Sequence, residues 1–249
     1  MPPRLFVEAP LSPGALVDLP PNAARHVQVL RLQPGAALSL FDGRGGQWQA
    51  VVDEIGRKAV SARVQAFEDS EAELRVAVTL ACGMPANERM DTLVEKATEL
   101  GAAQVRPLVT ARSVLRVAGE RAERKAQHWQ AIAQAACEQC GRNRVPPVAA
   151  AQPLGAWLAT PLLAGHTGLV LSLDAAAPPL AHWLAHWQRG ARPASAGLVL
   201  LSGPEGGLAP DELADAQHAG YQPVSLGPRV LRADTAPLAA LAVIGALDT

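Results

Sequence analysis

The chain has 249 residues, of which 49% are hydrophobic, 18% charged and 4% aromatic, with a formal net charge of −1. This balance excludes wholesale disorder and a uniformly basic nucleic-acid coat, and the length accommodates two compact domains. No apolar run approaches the roughly 20 residues that span a bilayer, and the opening MPPRLFVEAP lacks a secretory apolar core, so a cytoplasmic protein with no membrane association is expected.

Residues 1–70 read as β-rich. RLFVE (4–8), ALSLFDG (37–43), WQAVVDEI (48–55) and AVSARVQAF (59–67) are short runs of β-formers, and DGRGG supplies the turn of a hairpin. Pro20, Pro21 and Pro34 punctuate the loops around one helix-like piece, NAARHVQVLR. Two strand pairs with little helix predict a small β-barrel. The charged stretch EDSEAE (68–73) reads as a linker to a second domain over 74–249.

From residue 74 the pattern alternates. LRVAVTLA (74–81) predicts a strand, and ERMDTLVEKATEL a helix in which Met90, Leu93, Val94, Ala97 and Leu100 share one face and Gly101 provides the stop. A strand at AQVRPLV (103–109), a long helix over 120–141, a strand at GLVLSLD (168–174), a Trp-containing helix near 180–189 and a strand at GLVLLSG (197–203) follow. A helix from Pro210, a strand near 222–226 and a helix over 235–247 complete the chain. Such alternation implies an α/β sandwich around a mainly parallel sheet.

Several side-chain groups invite chemistry. Cys137 and Cys140 form a C-x-x-C, but with Cys82 as the one other cysteine there is no disulfide framework and no second half for a zinc site. His182 and His186 stand at i, i+4, yet Trp183 and Trp187 repeat the spacing and no acidic residue is near, which favours an amphipathic helix; no metal is expected. Between 106 and 144 lie eight basic residues against three acidic, consistent either with a few phosphate contacts or with a solvated helix face.

Two glycine-rich segments each follow a predicted strand and precede a helix. LLSGPEGGLAPDEL (200–213) lets the backbone turn sharply at Gly203, Gly206 and Gly207, ahead of Pro210, Asp211 and Glu212 in the first helical turn. It matches neither a dinucleotide fingerprint nor a nucleoside-triphosphate loop, and on residue types alone it is a ligand loop or a tight turn. SLGPRVLRADTAPLAAL (225–241) places Arg229 and Arg232 around a short apolar pair, with Asp234 or Thr235 available to cap the last helix. As an isolated residue, Asp234 reads as a cap in preference to a catalyst.

Taken together, GPEGG and LGPRVLRADTA resemble the paired signature of the SPOUT-class ribosomal RNA uridine-N3 methyltransferases. The resemblance covers nearly the whole chain, with RLFV, HVQVLRLQPGAALSLFDGRGGQWQA, ERMDTLVEKATELG, P-x-V-T-A-R-S and ACEQCGRNRVP in that family's order. It implies an N-terminal PUA-like RNA-binding β-barrel over 1–70 and a C-terminal α/β SPOUT domain over 74–249 whose chain threads a deep trefoil knot. It also implies that the knot's loops bind S-adenosylmethionine through Leu201, Gly203, Pro204, Glu205, Gly206, Gly207, Leu226, Gly227, Val230, Leu231, Arg232, Thr235 and Ala236. The implied reaction is methyl transfer to N3 of a specific uridine in 16S rRNA of the small ribosomal subunit, by a homodimer.

Arg232 is the candidate catalytic residue. Its guanidinium stays protonated, so it can stabilise charge on a uracil carbonyl but cannot act as the base. Candidate RNA contacts are Arg4, His26 and Arg31 on the barrel and Arg112, Arg142 and Arg144 nearer the site, on a single-stranded or looped substrate because N3 is hidden in a base pair. Three positions depart from the family pattern: Ala86 where Lys is usual, Ala209 where Ser is usual, and Asp234 where Glu is usual. A SPOUT enzyme acting on another RNA position, or an assembly factor that kept the fold, are the alternative readings.

Overall fold

The computed structural model describes residues 2–57, 59–190, 193 and 195–247. They form two compact units: the chain up to Glu73 together with Gln134–Val145, and Leu74–Ala133 together with the chain from Pro146 onwards.

The first unit contains β1 (Arg4–Phe6), β2 (Leu16–Asp18), α1 (Pro21–Val29), β3 (Ala37–Phe41), β4 (Gln47–Ile55) and β5 (Val60–Glu68). Its five strands lie in the order β1-β3-β4-β5-β2. The DGRGG turn joins β3 and β4 as an antiparallel pair with Leu40 opposite Trp48, while β1 runs parallel to β3. Leu5, Val17, Leu38, Leu40, Val52, Val60 and Val64 are buried from the strands, and Ala23, Ala24 and Val27 of α1 join them in the same core. α1 starts with Pro21 at its first position, where a missing N–H costs nothing.

The supposed linker behaves differently from its composition. Glu73 accepts both Nε (2.9 Å) and Nη2 (2.5 Å) of Arg142, whose side chain is almost fully buried. Asn143 donates to the Ser70 carbonyl at 2.6 Å, and Arg144 pairs with Glu71 at 2.9 Å. Glu138 accepts the Phe6 N–H at 2.9 Å. Glu71 and Glu73 of this stretch therefore anchor 134–145, so the first unit reaches beyond residue 70 and recruits a segment distant in sequence.

The second unit contains β6 (Ala77–Gly83), α2 (Asn87–Glu99), β7 (Gln104–Val109), α3 (Glu120–Cys140, its last seven residues belonging to the first unit), β8 (Gln152–Pro153) and α4 (Leu154–Leu158). There follow β9 (His166–Leu171), α5 (Leu180–Arg189), β10 (Gly197–Ser202), α6 (Pro210–His218), β11 (Gln222–Val224) and α7 (Thr235–Leu247). The six strands are all parallel, in the order β11-β9-β10-β6-β7-β8. Every residue of β10 is buried, which is why GLVLLS is apolar throughout instead of alternating. Val199 and Leu201 share a cluster with Leu154 of α4 and Ala216 of α6 on one face of the sheet. α7 packs on β10 and β6, and against α2 and α5. In α2 the predicted stripe Met90, Leu93, Val94 and Ala97 is fully buried.

Candidate functional site

A cleft of about 630 Å³ opens at the carboxyl edge of the parallel sheet of the second unit. That edge is where open α/β sheets hold ligands, because loops diverge there and leave backbone groups unpaired. Its walls are the segments after β9 (171–174), after β10 (202–208) and after β11 (226–233), with Arg89 of α2, Arg112, Leu213 of α6 and Ala236 of α7.

The loop after β10 is tied on both sides. A Cβ on Gly203 would lie 2.7 Å from the Leu208 backbone nitrogen, closer than real atoms approach, so only glycine fits. The Gly207 N–H donates to the Pro204 carbonyl at 2.8 Å and closes the turn. Glu205 leaves the loop to accept the Ala86 N–H at 3.0 Å and approaches Arg89 at 3.4 Å. From the other side Arg112 Nη1 donates to the carbonyls of Gly206 (2.8 Å) and Leu208 (3.4 Å). Glu212 accepts the N–H of Ala111 at 2.7 Å with one oxygen and that of Ala209 at 2.9 Å with the other. Ala209 thus keeps half of a capping box, although its methyl cannot return the hydrogen bond. In the facing segment Gly227 has φ +97° with open space around a would-be Cβ, so backbone conformation alone demands glycine there.

Leu171, Leu173, Leu226, Val230 and Leu231 give the cleft an apolar surface, and Arg89, Arg112, Arg229, Arg232, Asp174 and Glu205 add charge to its lining, with Arg89 3.4 Å from Glu205. Arg229 and Arg232 are exposed. Four side-chain polar atoms are buried without a hydrogen-bond partner among the described residues: Arg4 Nε, His166 Nδ1, Ser202 Oγ and Asp234 Oδ1, and of these four residues only Ser202 lines the cleft. The cap expected from Asp234 is thus not made by that oxygen. A close-fitting glycine cradle, apolar walls and an unanswered hydroxyl suit a flat heteroaromatic ligand carrying polar edges. Among the described residues no set of three or more His, Cys, Asp or Glu side chains is placed to hold a metal.

Of the positions expected to bind cofactor, Gly203, Pro204, Glu205, Gly206, Gly207, Leu226, Gly227, Val230, Leu231, Arg232 and Ala236 line the cleft. Leu201 is wholly buried inside β10, and Thr235, which opens α7, is outside the lining. The residues expected to touch RNA are dispersed. Arg4 donates to the Gln47 side chain, to the Arg142 carbonyl (3.1 Å) and to Asn143 Oδ1 (2.7 Å), beneath the Phe41 ring. Arg142 is 2% exposed and committed to Glu73, Arg144 is half-exposed against Glu71, and Arg112 braces the glycine loop. His26 and Arg31 are exposed. Arg31 holds φ +52°, a left-handed conformation that favours glycine at a helix end.

The wall formed by 171–174 was not anticipated. Its signal was present, since GLVLSLD, like GLVLLSG, is an apolar strand that ends on polar residues. Ser202 falls within the expected cofactor loop, Leu201 to Gly207, but nothing in the sequence gives its side chain a role, because it ends a strand that reads as core.

Residues 72–245 match the family described as the RNA methyltransferase domain, and residues 19–65 match the RNA methyltransferase PUA domain. The ribosomal RNA small subunit methyltransferase E of Mycobacterium bovis is 37% identical over 246 residues, covering 98% of this chain and 91% of that protein. The solved structure of the ribosomal RNA small subunit methyltransferase E from Neisseria gonorrhoeae, bound to S-adenosylmethionine, has a TM-score of 0.88 at 34% identity over 99% of this chain and 98% of that one. A Legionella pneumophila structure in complex with the same cofactor has a TM-score of 0.88 at 32% identity, again over 99% and 98% of the two chains.

Proposed function

Because the chain belongs to the RNA methyltransferase family, whose domain spans residues 72–245, we propose that it uses S-adenosylmethionine to methylate N3 of a uridine in 16S rRNA of the small ribosomal subunit. The observation that carries this reading is the cleft itself: two glycine-rich loops and a strand-end wall form it in a fold shared with the cofactor-bound Neisseria gonorrhoeae relative over nearly its full length.

The loops 203–207 and 226–232 would hold the cofactor, chiefly through backbone groups, and Leu226, Val230 and Leu231 would supply apolar surface to it. When bound, the cofactor supplies a sulfonium methyl that transfers in line to a nitrogen lone pair. The chain's part in the chemistry is positioning and charge. Uridine N3 becomes nucleophilic as its proton leaves, and negative charge then spreads onto the flanking carbonyl oxygens. Arg232, exposed at the cleft and permanently charged, stabilises that charge. Water accepts the proton. His26 and Arg31 in the first unit, and Arg229 at the cleft, offer exposed groups to RNA, and the strained backbone of Arg31 supports retention of that side chain for a purpose other than stability.

A second copy of the chain completes the site in this proposal. Leu173 and Val230 line the cleft yet are 71% and 79% exposed, an apolar rim suited to a partner surface. Light scattering at micromolar concentration tests it, and a monomer would remove it.

The test of function is incubation with radiolabelled S-adenosylmethionine and small subunits from a strain lacking the modification, followed by nucleoside mapping. Label in 3-methyluridine is expected. Label in another nucleoside would overturn the position while leaving methyl transfer to RNA. No label, despite measured cofactor binding, would overturn the choice of substrate.

A further inference from the structure

Ser202 carries a feature that the methyl-transfer scheme does not use. It ends β10, is 2% exposed, lines the cleft, and its hydroxyl has no hydrogen-bond partner among the described residues. Leaving such a group dry and unpaired is costly, and an orphan hydroxyl on a residue that lines a cleft is available to a polar atom of a bound ligand.

Side-chain direction agrees. Successive residues of a strand point to opposite faces. Val199 and Leu201 face the cluster built with α4 and α6, so Ser202 shares the opposite face with Leu198 and Leu200. α7 packs on β10, and Ala233 and Ala236, beside its start, line the same cleft. Cys82 on β6 stands in register with Ser202, and its burial pushes the thiol up to about 12, a sign of how little water reaches this edge. Apolar residues at that position would pack as well in the sheet, and none would present a donor.

We propose that Ser202 Oγ is a recognition contact for the bound adenosyl cofactor, hydrogen-bonding a polar atom of the ligand from the floor of the cleft. This rests on the reading of the cleft as the S-adenosylmethionine site. No bond is made or broken at Ser202; its role is binding.

The test is isothermal titration of S-adenosylhomocysteine into wild type and Ser202→Ala, with thermal unfolding of both proteins measured without ligand. Removing a contact hydroxyl is expected to raise Kd roughly 3- to 10-fold. Removing an orphan hydroxyl is expected to leave the ligand-free unfolding temperature unchanged or higher. This pairing of signs is one that a structural serine would not produce. Unchanged affinity in the variant would overturn the inference, as would a variant that unfolds at lower temperature without ligand and binds proportionately worse. Ser202→Cys, of similar volume with a weaker donor, should fall between the two, and wild-type affinity there would also overturn it. If wild type itself fails to bind S-adenosylhomocysteine, the cofactor reading of the cleft is what fails.

Discussion

Arg112 separates two readings of one side chain. In the sequence it belongs to a basic stretch suited to phosphate; in the fold its Nη1 donates to the Gly206 carbonyl at 2.8 Å and, at 3.4 Å, to that of Leu208. A hydrogen bond from a charged donor contributes about 1.5–3 kcal/mol, but Arg112 is exposed, and solvent screening reduces that to about 1 kcal/mol. Losing it lowers the fraction of molecules whose glycine loop is ready to bind, and apparent affinity falls in proportion. Arg112→Ala should therefore raise Kd for S-adenosylhomocysteine about three- to fivefold by isothermal titration. Glu212 holds the same loops from the other side through Ala111 and Ala209, so Glu212→Gln combined with Arg112→Ala should cost more than the two singles added. If Arg112 serves RNA alone, cofactor affinity will be unchanged while RNA binding weakens and the slope of its salt dependence falls by about one. That outcome would refute the bracing argument.

Arg232→Ala should leave S-adenosylhomocysteine binding measurable while turnover falls by roughly 10²-fold, as when a charge-stabilising donor is removed; unchanged turnover in single-turnover assays would discard the assignment. Ala209→Ser restores the missing half of the capping box with Glu212 and should stabilise the second unit by about 0.5–1 kcal/mol in urea unfolding, with no gain counting against it. Glu73→Ala removes the carboxylate paired with the buried guanidinium of Arg142 and should cost the first unit about 3 kcal/mol, read as lost hydrogen-exchange protection over β4 and β5. Protection equal to wild type would mean that water or another acceptor already serves Arg142.

What was legible in the sequence was local. The β3–β4 hairpin announces itself through DGRGG, and α2 through its apolar stripe, because each is specified by neighbours a few residues away. β2 is three residues, LVD, and exists because Leu16, Val17 and Asp18 pair with Arg63, Ala62 and Ser61 of β5; no propensity marks it. α4 is likewise a five-residue helix held by its packing against α6. Arg142 illustrates the largest gap. Its sequence surroundings are basic and polar, yet it is an interior residue paired with Glu73, 69 positions earlier. The glycine loops were visible because close approach and left-handed backbone leave a compositional trace, whereas the 171–174 wall is made of ordinary residues whose importance is where the strand ends.

The order of strands also bears on how this protein is made. β10 lies between β9 and β6, but its residues, 197–202, come more than a hundred positions after β6 ends at Gly83. At ribosomal elongation of about 5–20 residues per second, β6 waits roughly 6–24 s with one hydrogen-bonding edge unsatisfied, and β9 emerges with no central strand to join. Long-range closure of this kind is slow, and open apolar edges invite association with other chains. The nascent protein should therefore engage holdase chaperones until β10 inserts. The cleft, most of whose walls follow residue 171, gains its capacity to bind in one late step.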